Sequence, residues 1–250
     1  MAKYSYNLQR SKVDLRDFHY TAFFFNHPAL LPKVVDLRTL QSPVRDQGNV
    51  GFCFSFATTS LREYLEIKNK QIFVELSELY LAHKTKQKEG TEFQDNGASI
   101  ADAMWALHKF GVCPAQLDPY KPANYWVTTT TIEDAAAKKF AIKSYYKVTN
   151  LTALKTALAE GYVVVIGIAI YDSFESDEVI NTGKVPLPNT QLENCLGGHA
   201  ILAVGYSDIE QHVIIKNSWG ASVGDKGYFY IPYTYINDPN LCFDMYTTTG

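Results

Sequence analysis

The sequence predicts an α+β fold with two lobes, because helical and strand-forming segments separate along the chain. Residues 31 to about 130 show mainly helical periodicity, whereas residues from about 140 onward are rich in β-branched and aromatic residues. Helices followed by strands are typical of α+β architecture, and a cleft between two unlike lobes is where a site is expected. A chain of 250 residues suits one large domain or two lobes packed together.

The domain organisation follows from the same change in composition. We expect an N-terminal extension over residues 1–30 and one main domain over residues 31–250. Within that domain the helical lobe is expected over about 31–135 and the β lobe over about 136–250. The chain contains no internal repeat and no low-complexity tract, so a repeat architecture is excluded.

Three helices are predicted from periodicity and from their end signals. The first covers residues 53–68, where apolar side chains recur at the spacing of one helix face. The second begins after Ser99 as N-cap and stops at Gly111, and the third begins after Asn150 and stops at Gly161. All three have a polar or glycine residue where the periodicity begins or ends.

Four strands are predicted in the second half of the chain. Residues 162–170 form a continuous Val/Ile-rich run, which favours burial on both faces of a sheet. Residues 199–206, 212–216 and 227–231 are β-branched or aromatic and are separated by turn residues.

Composition and charge exclude several classes of function. With 23 basic and 26 acidic residues, the net charge of −3 is too balanced for a nucleic-acid-binding surface. The longest strongly apolar run, residues 162–171, is too short to span a bilayer, and the N-terminus has no apolar stretch of signal-peptide type. Four cysteines do not make a disulfide scaffold, which favours a reducing compartment.

Cys53 lies where a glycine-containing turn gives way to the first predicted helix. A thiol at a helix N-terminus faces the positive end of the helix dipole, which lowers its pKa and favours the thiolate. The alternative is a small apolar residue buried in a core helix, as free cysteines often are. That alternative gives no role to Gln47, which lies six residues upstream beyond two glycines.

His199 and Asn217 form a second candidate pair. His199 is expected to begin a strand, with its ring at the rim of the sheet facing a cleft, and Asn217 closes the next strand 18 residues later. A hairpin would bring them together, so that the carboxamide fixes the tautomer of the imidazole. Alternatively, His199 is a structural core residue and Asn217 a turn former. Metal binding by His199 with Cys195 is disfavoured, because no third ligand is evident.

Together these segments resemble the papain-like cysteine peptidases over roughly residues 31–236. His199 and Asn217 lie 146 and 164 residues after Cys53, and the family spacing is roughly 130–150 residues. The stretches that carry the resemblance are Asp46-Gln47-Gly48 with Cys53, Leu76-Ser77-Glu78-Leu79, Gly198-His199-Ala200, Lys216-Asn217-Ser218-Trp219-Gly220 and Gly224-Asp225-Lys226-Gly227-Tyr228. The chain departs from the family pattern at Val50, where a disulfide cysteine is usual, at Phe52 and at Phe54.

The resemblance implies a papain-like two-lobe fold, with the nucleophile on the helical lobe and the histidine on an antiparallel β-barrel-like lobe. It implies a cysteine endopeptidase that forms a thioester, needs no cofactor or metal, and acts on polypeptides as a monomer, without nucleic acid or membrane partners. The implied catalytic roles are Cys53 as nucleophile, His199 as general acid/base, Asn217 as orienter and Gln47 as oxyanion-hole donor. The implied substrate-binding residues are Gly97, Ala98, Gly198 and Trp219, the last also covering the Asn217–His199 contact.

Two alternatives for function stay open at this stage. The same triad could serve another acyl transfer, such as deamidation or transglutamination, or the fold could be a peptide-binding homologue. The N-terminal extension has two alternatives of its own. Its aromatic residues Phe18, Tyr20, Phe23, Phe24 and Phe25 are expected to pack on the body of the protein. Part of the extension then either lies across one end of the cleft and narrows access, or braces the sheet far from Cys53.

Overall fold

The structure is a computed structural model that describes residues 4–15, 17–22, 30–124 and 127–250. The predicted packing of Phe23, Phe24 and Phe25 lies outside these residues. The helices are α1 (Cys53–Lys70), α2 (Glu78–Glu89), α3 (Ile100–Lys109), α4 (Thr131–Ala137), α5 (Leu151–Ala159), α6 (Asp177–Thr182) and α7 (Tyr233–Asn237). The strands are β1 (Val34–Asp36), β2 (Tyr146–Lys147), β3 (Val164–Tyr171), β4 (Cys195–Ser207), β5 (His212–Lys216), β6 (Tyr228–Pro232) and β7 (Cys242–Thr247).

The strands form one antiparallel sheet in the order β2-β7-β3-β4-β5-β6, with β1 added beside β4. β3 pairs with β4 as far as Ala203, and β1 pairs along the same side of β4 from Gly205 to Ser207. The two ends of the sheet do not meet. The α+β prediction is therefore confirmed, but the expected barrel-like lobe is an open sheet.

The three predicted helices are confirmed, together with the signals that delimit them. The side chain of Ser99 accepts a hydrogen bond from the N–H of Asp102, and that of Asn150 accepts from Ala153. Beyond the two helix ends, Gly111 and Gly161 have φ angles of +79° and +77°, a conformation that glycine adopts without strain.

The predicted strands are confirmed within two residues, except at the start of β4. This strand begins at Cys195, four residues before His199, because Gly197 and Gly198 continue the pairing with β3 instead of forming a turn. His199 therefore lies inside the strand, opposite Ile168, and its side chain is fully buried. The expectation that it begins the strand, at the rim of the sheet, was wrong.

Two apolar cores cover the two faces of the sheet. On β3, Val165 packs into the core shared with α1, α2 and α3, whereas Val164 and Ile166 pack into the opposite core beside α5. This alternation explains the uninterrupted apolar run, since both faces of the strand are buried. Every residue of α1 from 53 to 66 is buried, so the helix is central to the molecule.

Two described segments of the N-terminal extension pair with the backbone of the domain. Residues 6–9 run beside Gly198 and Ser99, and residues 18–20 pair with Lys147 at the edge of the sheet. Tyr20 is buried, as expected, but Phe18 is 73% exposed, because it lies at the outer edge of β2, so its expected burial was wrong. In the described part of the chain, no helix combines the length and apolar character needed to cross a bilayer.

Candidate active site

Cys53 is the first residue of α1, and its side chain is fully buried. Burial raises the pKa of the thiol to about 12, although backbone N–H groups of Ala200, Phe54 and Cys53 itself oppose the shift. The dipole argument alone predicted a lowered pKa. That prediction was wrong for the structure described here, because desolvation of the charged form outweighs the helix terminus.

His199 and Asn217 lie side by side because β4 and β5 are neighbours in the sheet. The Nε2 of His199 is 2.8 Å from the Oδ1 of Asn217, and the same Oδ1 accepts from the N–H of Ser218 at 2.8 Å. The Oδ1 of Asn217 can only accept hydrogen bonds, so the Nε2 of His199 must carry the hydrogen. The neutral ring therefore has its lone pair on Nδ1, and no hydrogen-bond partner of Nδ1 occurs among the described residues.

The surroundings of His199 favour its neutral form. Burial lowers the pKa of the imidazole to about 4, and the hydrogen bond with Asn217 only partly opposes this. Trp219 stacks on the ring with centroids 5.2 Å apart and an interplanar angle of 25°, and it is itself 2% exposed. Burial therefore favours the neutral forms of both Cys53 and His199.

Gln47 is fully buried and fixed at both ends of its carboxamide. Its Oε1 accepts from the hydroxyl of Ser218 at 2.5 Å, and its Nε2 donates to the carbonyl of Val50 at 2.9 Å. The backbone N–H of Gln47 also binds the carbonyl of Ser218 at 2.9 Å. A carboxamide nitrogen has two hydrogens, so this arrangement orients the second one.

The remaining predicted site residues line a channel filled by residues 4–9, here called the N-terminal strap. Both backbone groups of Gly198 bind the strap. Its N–H donates to the carbonyl of Tyr6 at 3.2 Å, and its carbonyl accepts from the N–H of Leu8 at 3.1 Å. The carbonyl of Ala98 accepts from Gln9 at 3.1 Å. The four residues that the sequence assigned to substrate binding therefore include two that form β-like pairing with the strap.

Gly97 shows how closely the strap backbone approaches. Its φ angle is +67°, and a Cβ atom built there would lie 1.8 Å from the carbonyl oxygen of Asn7. A side chain at this position would be strained and would collide with the strap. Such close approach of two backbones is a usual reason for glycine.

Alternate side chains of the strap cover successive parts of the cleft. Tyr4 stacks on Trp219 with centroids 4.3 Å apart, and the ring of Tyr6 meets His199 edge-on at 5.8 Å. Leu8 fills the space beside Gly167, where a built Cβ would lie 3.0 Å from the Leu8 Cδ2 atom. This period of two is that of an extended strand with one face against the protein.

Lys86 is a site residue that the sequence did not indicate. Its side chain is fully buried, and its ammonium group donates to the carbonyl of Gly97 at 3.0 Å and to the side chain of Asn96. On the other side of the same turn, Asp95 accepts from the N–H of Gly51 at 2.8 Å. These contacts hold the turn before Ala98. A lysine in the last turn of a helix gives no sequence signal, because it is usually solvated there.

A second cluster of buried charged side chains supports β5, the strand directly before Asn217. Arg45 binds Glu63 at 2.7 Å and Glu78 at 2.7 Å, and both carboxylates are almost inaccessible. Lys216, directly before Asn217, donates to Ser42 at 2.8 Å, and burial lowers its pKa to about 8. Buried charges of this kind are costly unless all are paired, so they fix the geometry of the elements that carry them.

All four cysteines are free thiols, with Cys195 exposed and the other three buried. Across the described ranges, no group of three or more His, Cys, Asp or Glu side chains is arranged to hold a metal ion.

Comparison with known proteins supports one family. Residues 31–243 match the family described as papain family cysteine protease. A peptidase C1-like protein of Acanthamoeba polyphaga mimivirus is 33% identical over 227 residues, covering 86% of this chain and 72% of the viral protein. Chymopapain of Carica papaya is 28% identical over 235 residues, and the chain spans 62% of its length.

The same family emerges from comparison of structures. Xylellain, a cysteine protease from Xylella fastidiosa, superimposes with a TM-score of 0.91 at 32% identity, covering 99% of this chain and 96% of xylellain. The chain belongs to the papain family of cysteine proteases.

Proposed function

We propose that the protein is a cysteine endopeptidase in which Cys53, His199 and Asn217 act as a catalytic triad and Gln47 completes an oxyanion hole. The observation that carries this proposal is the 2.8 Å contact between His199 Nε2 and Asn217 Oδ1, which leaves Nδ1 to exchange a proton with a thiol. The helix N-terminus at Cys53 supports the thiolate once water reaches it.

The proposed reaction proceeds in two acyl-transfer steps. The thiolate of Cys53 attacks the scissile carbonyl, and the oxyanion that forms receives hydrogen bonds from the Gln47 carboxamide and the Cys53 N–H. His199 then donates its proton to the leaving amine, which gives a thioester and a free amine. A water molecule, deprotonated by His199, hydrolyses the thioester and restores the thiol.

In this proposal, the N-terminal strap keeps the enzyme inactive while it lies in the cleft. With the strap in place, Cys53 and His199 are both fully buried, and burial favours the neutral thiol and the neutral imidazole. Displacement of the strap exposes both groups, and the burial that opposes the thiolate–imidazolium pair is relieved. We therefore assign to the N-terminal extension the role of an intramolecular competitor of the substrate.

The proposed function is tested by covalent labelling and hydrolysis with the same preparation. A peptidyl epoxide should label wild-type protein and the Cys195→Ala variant, which removes the exposed thiol, but it should not label Cys53→Ala. A fluorogenic peptide panel should show hydrolysis by the first two proteins only. Unchanged hydrolysis in Cys53→Ala would contradict the proposal.

The two alternatives give different results in this experiment. Labelling of Cys53 without cleavage of any peptide would favour deamidation or transglutamination by the same residues. Neither labelling nor cleavage, in a protein that binds peptides, would favour a binding homologue. The second alternative has no support from the site, since Cys53, His199, Asn217 and Gln47 are all present.

A further inference from the structure

Glu175 places a carboxylate at the part of the cleft that lies over the proposed catalytic pair. The hydroxyl of Tyr6 donates to the Glu175 Oε1 at 2.6 Å. The Tyr6 ring meets His199 at 5.8 Å and Trp219 at 6.1 Å, edge-on in both cases. The Glu175 carboxylate is therefore within hydrogen-bond distance of a side chain that lies directly over His199.

The segment that carries Glu175 is fixed by its neighbour Phe174. Phe174 is buried and contacts Trp219 and Phe229, with ring centroids 5.7 and 5.8 Å away. Residues 172–178 contain four acidic residues and no lysine or arginine. The position of Glu175 is thus set by the core, and the short segment that carries it is acidic.

Asp46 adds a second carboxylate beside Trp219. Its backbone forms a bridge with Trp219, and its Oδ2 lies 3.7 Å from a Cβ built on Gly220. Tyr4 stacks on Trp219, and the pKa of its phenol is raised. Burial is the largest cause of this shift, and the negative charges of Asp46 and Glu175 are the next largest. Two carboxylates therefore act on the phenol of Tyr4.

We propose that Glu175, assisted by Asp46, determines specificity for a lysine or arginine in the substrate residue that replaces Tyr6 over His199 and Trp219. This inference rests on the proposed peptidase function. A cation that reaches a partly buried carboxylate forms a charge-assisted hydrogen bond, whereas an acidic side chain there is repelled. The tyrosine of the strap makes the neutral form of this contact.

The test uses pairs of fluorogenic peptides. The two members of a pair are identical except that one has lysine and the other glutamate at a single position, and each pair varies a different position on either side of the cleaved bond. The measured quantity is the ratio of kcat/KM for the two members of each pair. A closed strap lowers kcat/KM for both peptides by the same factor, so the ratio reports the cleft alone. We expect a ratio of about 10 or more in favour of lysine at one position.

Three variants decide whether Glu175 is responsible. Glu175→Gln should reduce that ratio at least fivefold, and Glu175→Lys should invert it. Glu178→Gln, which removes an equal charge from an exposed residue of α6, should leave it unchanged. The wild-type ratio should also fall as salt is raised from 20 to 500 mM, which requires no variant to fold.

The outcomes separate this inference from the proposed function. Hydrolysis of both peptides with ratios near one at every position would overturn the inference alone. A strong lysine preference that survives in Glu175→Gln would also overturn it. Absence of hydrolysis of every peptide, both by wild-type protein and by the Leu8→Ala variant that opens the strap, would instead overturn the proposed function.

Discussion

Replacement of Leu8 by alanine should open the N-terminal strap without touching the proposed catalytic residues. Leu8 is 7% exposed and packs beside Gly167, Ile100 and Phe243 in the channel. Its backbone hydrogen bond with Gly198 is retained by alanine, so the substitution removes only side-chain contacts. The change therefore isolates the apolar contribution of one residue to closure.

The expected magnitude follows from the carbon atoms removed. Leucine to alanine deletes three buried carbons at about 0.8 kcal/mol each, or about 2.4 kcal/mol in total. At 1.4 kcal/mol for each factor of ten, the closed-to-open ratio of the strap should fall about 50-fold. If the strap is mostly closed in wild-type protein, kcat/KM should rise by a similar factor.

Two rates measure this opening. One is kcat/KM for a fluorogenic peptide, and the other is the rate at which a small alkylating reagent modifies Cys53. Both should rise in Leu8→Ala and stay at the wild-type value in Leu15→Ala, because Leu15 is 97% exposed in the same extension. Equal rates in Leu8→Ala and wild type, with the variant folded, would refute the assignment of the strap as a competitor of the substrate.

Three further predictions concern pH, stability and orientation. Since burial lowers the pKa of His199 to about 4 from an ordinary value near 6.5, the open and unfolded states bind protons more readily between these values. With the strap in place, the free energy of unfolding should be highest above about pH 6.5 and should fall by roughly 2–4 kcal/mol as the pH is lowered toward 4. Urea titrations at each pH measure this change, and a free energy of unfolding that stays constant would contradict the prediction. Glu63→Ala should cost about 2–3 kcal/mol, because it leaves the buried N–H of Leu76 without its acceptor and removes one of the two carboxylates that Arg45 binds at 2.7 Å. Glu75→Ala, at 58% exposure, should cost under about 1 kcal/mol, and calorimetry measures both changes. Asn217→Ala should lower kcat/KM by about 10–150-fold and His199→Ala by more, and the reverse order would argue against an orienting role.

Local sequence determined three of the seven helices and four of the seven strands in the described residues. Ser99 and Asn150 specify helix starts through their own side chains, and the Val/Ile run of β3 specifies a strand buried on both faces. The types and order of Cys53, His199, Asn217 and Gln47 were also sufficient to identify the family. These signals depend on neighbouring residues or on the residue type alone, so they can be recognised in a single sequence.

Tertiary structure decided the properties that depend on what covers a residue. Nothing near Cys53 or His199 in the sequence indicates that Tyr6 and Leu8 lie in the same cleft, and burial by such distant residues reverses the pKa expected from a helix terminus. Lys86 similarly holds the Gly97 turn only because α2 places it there. The burial and the charge partners of a side chain depend on residues that are far apart in sequence. They are therefore determined only when the chain has folded.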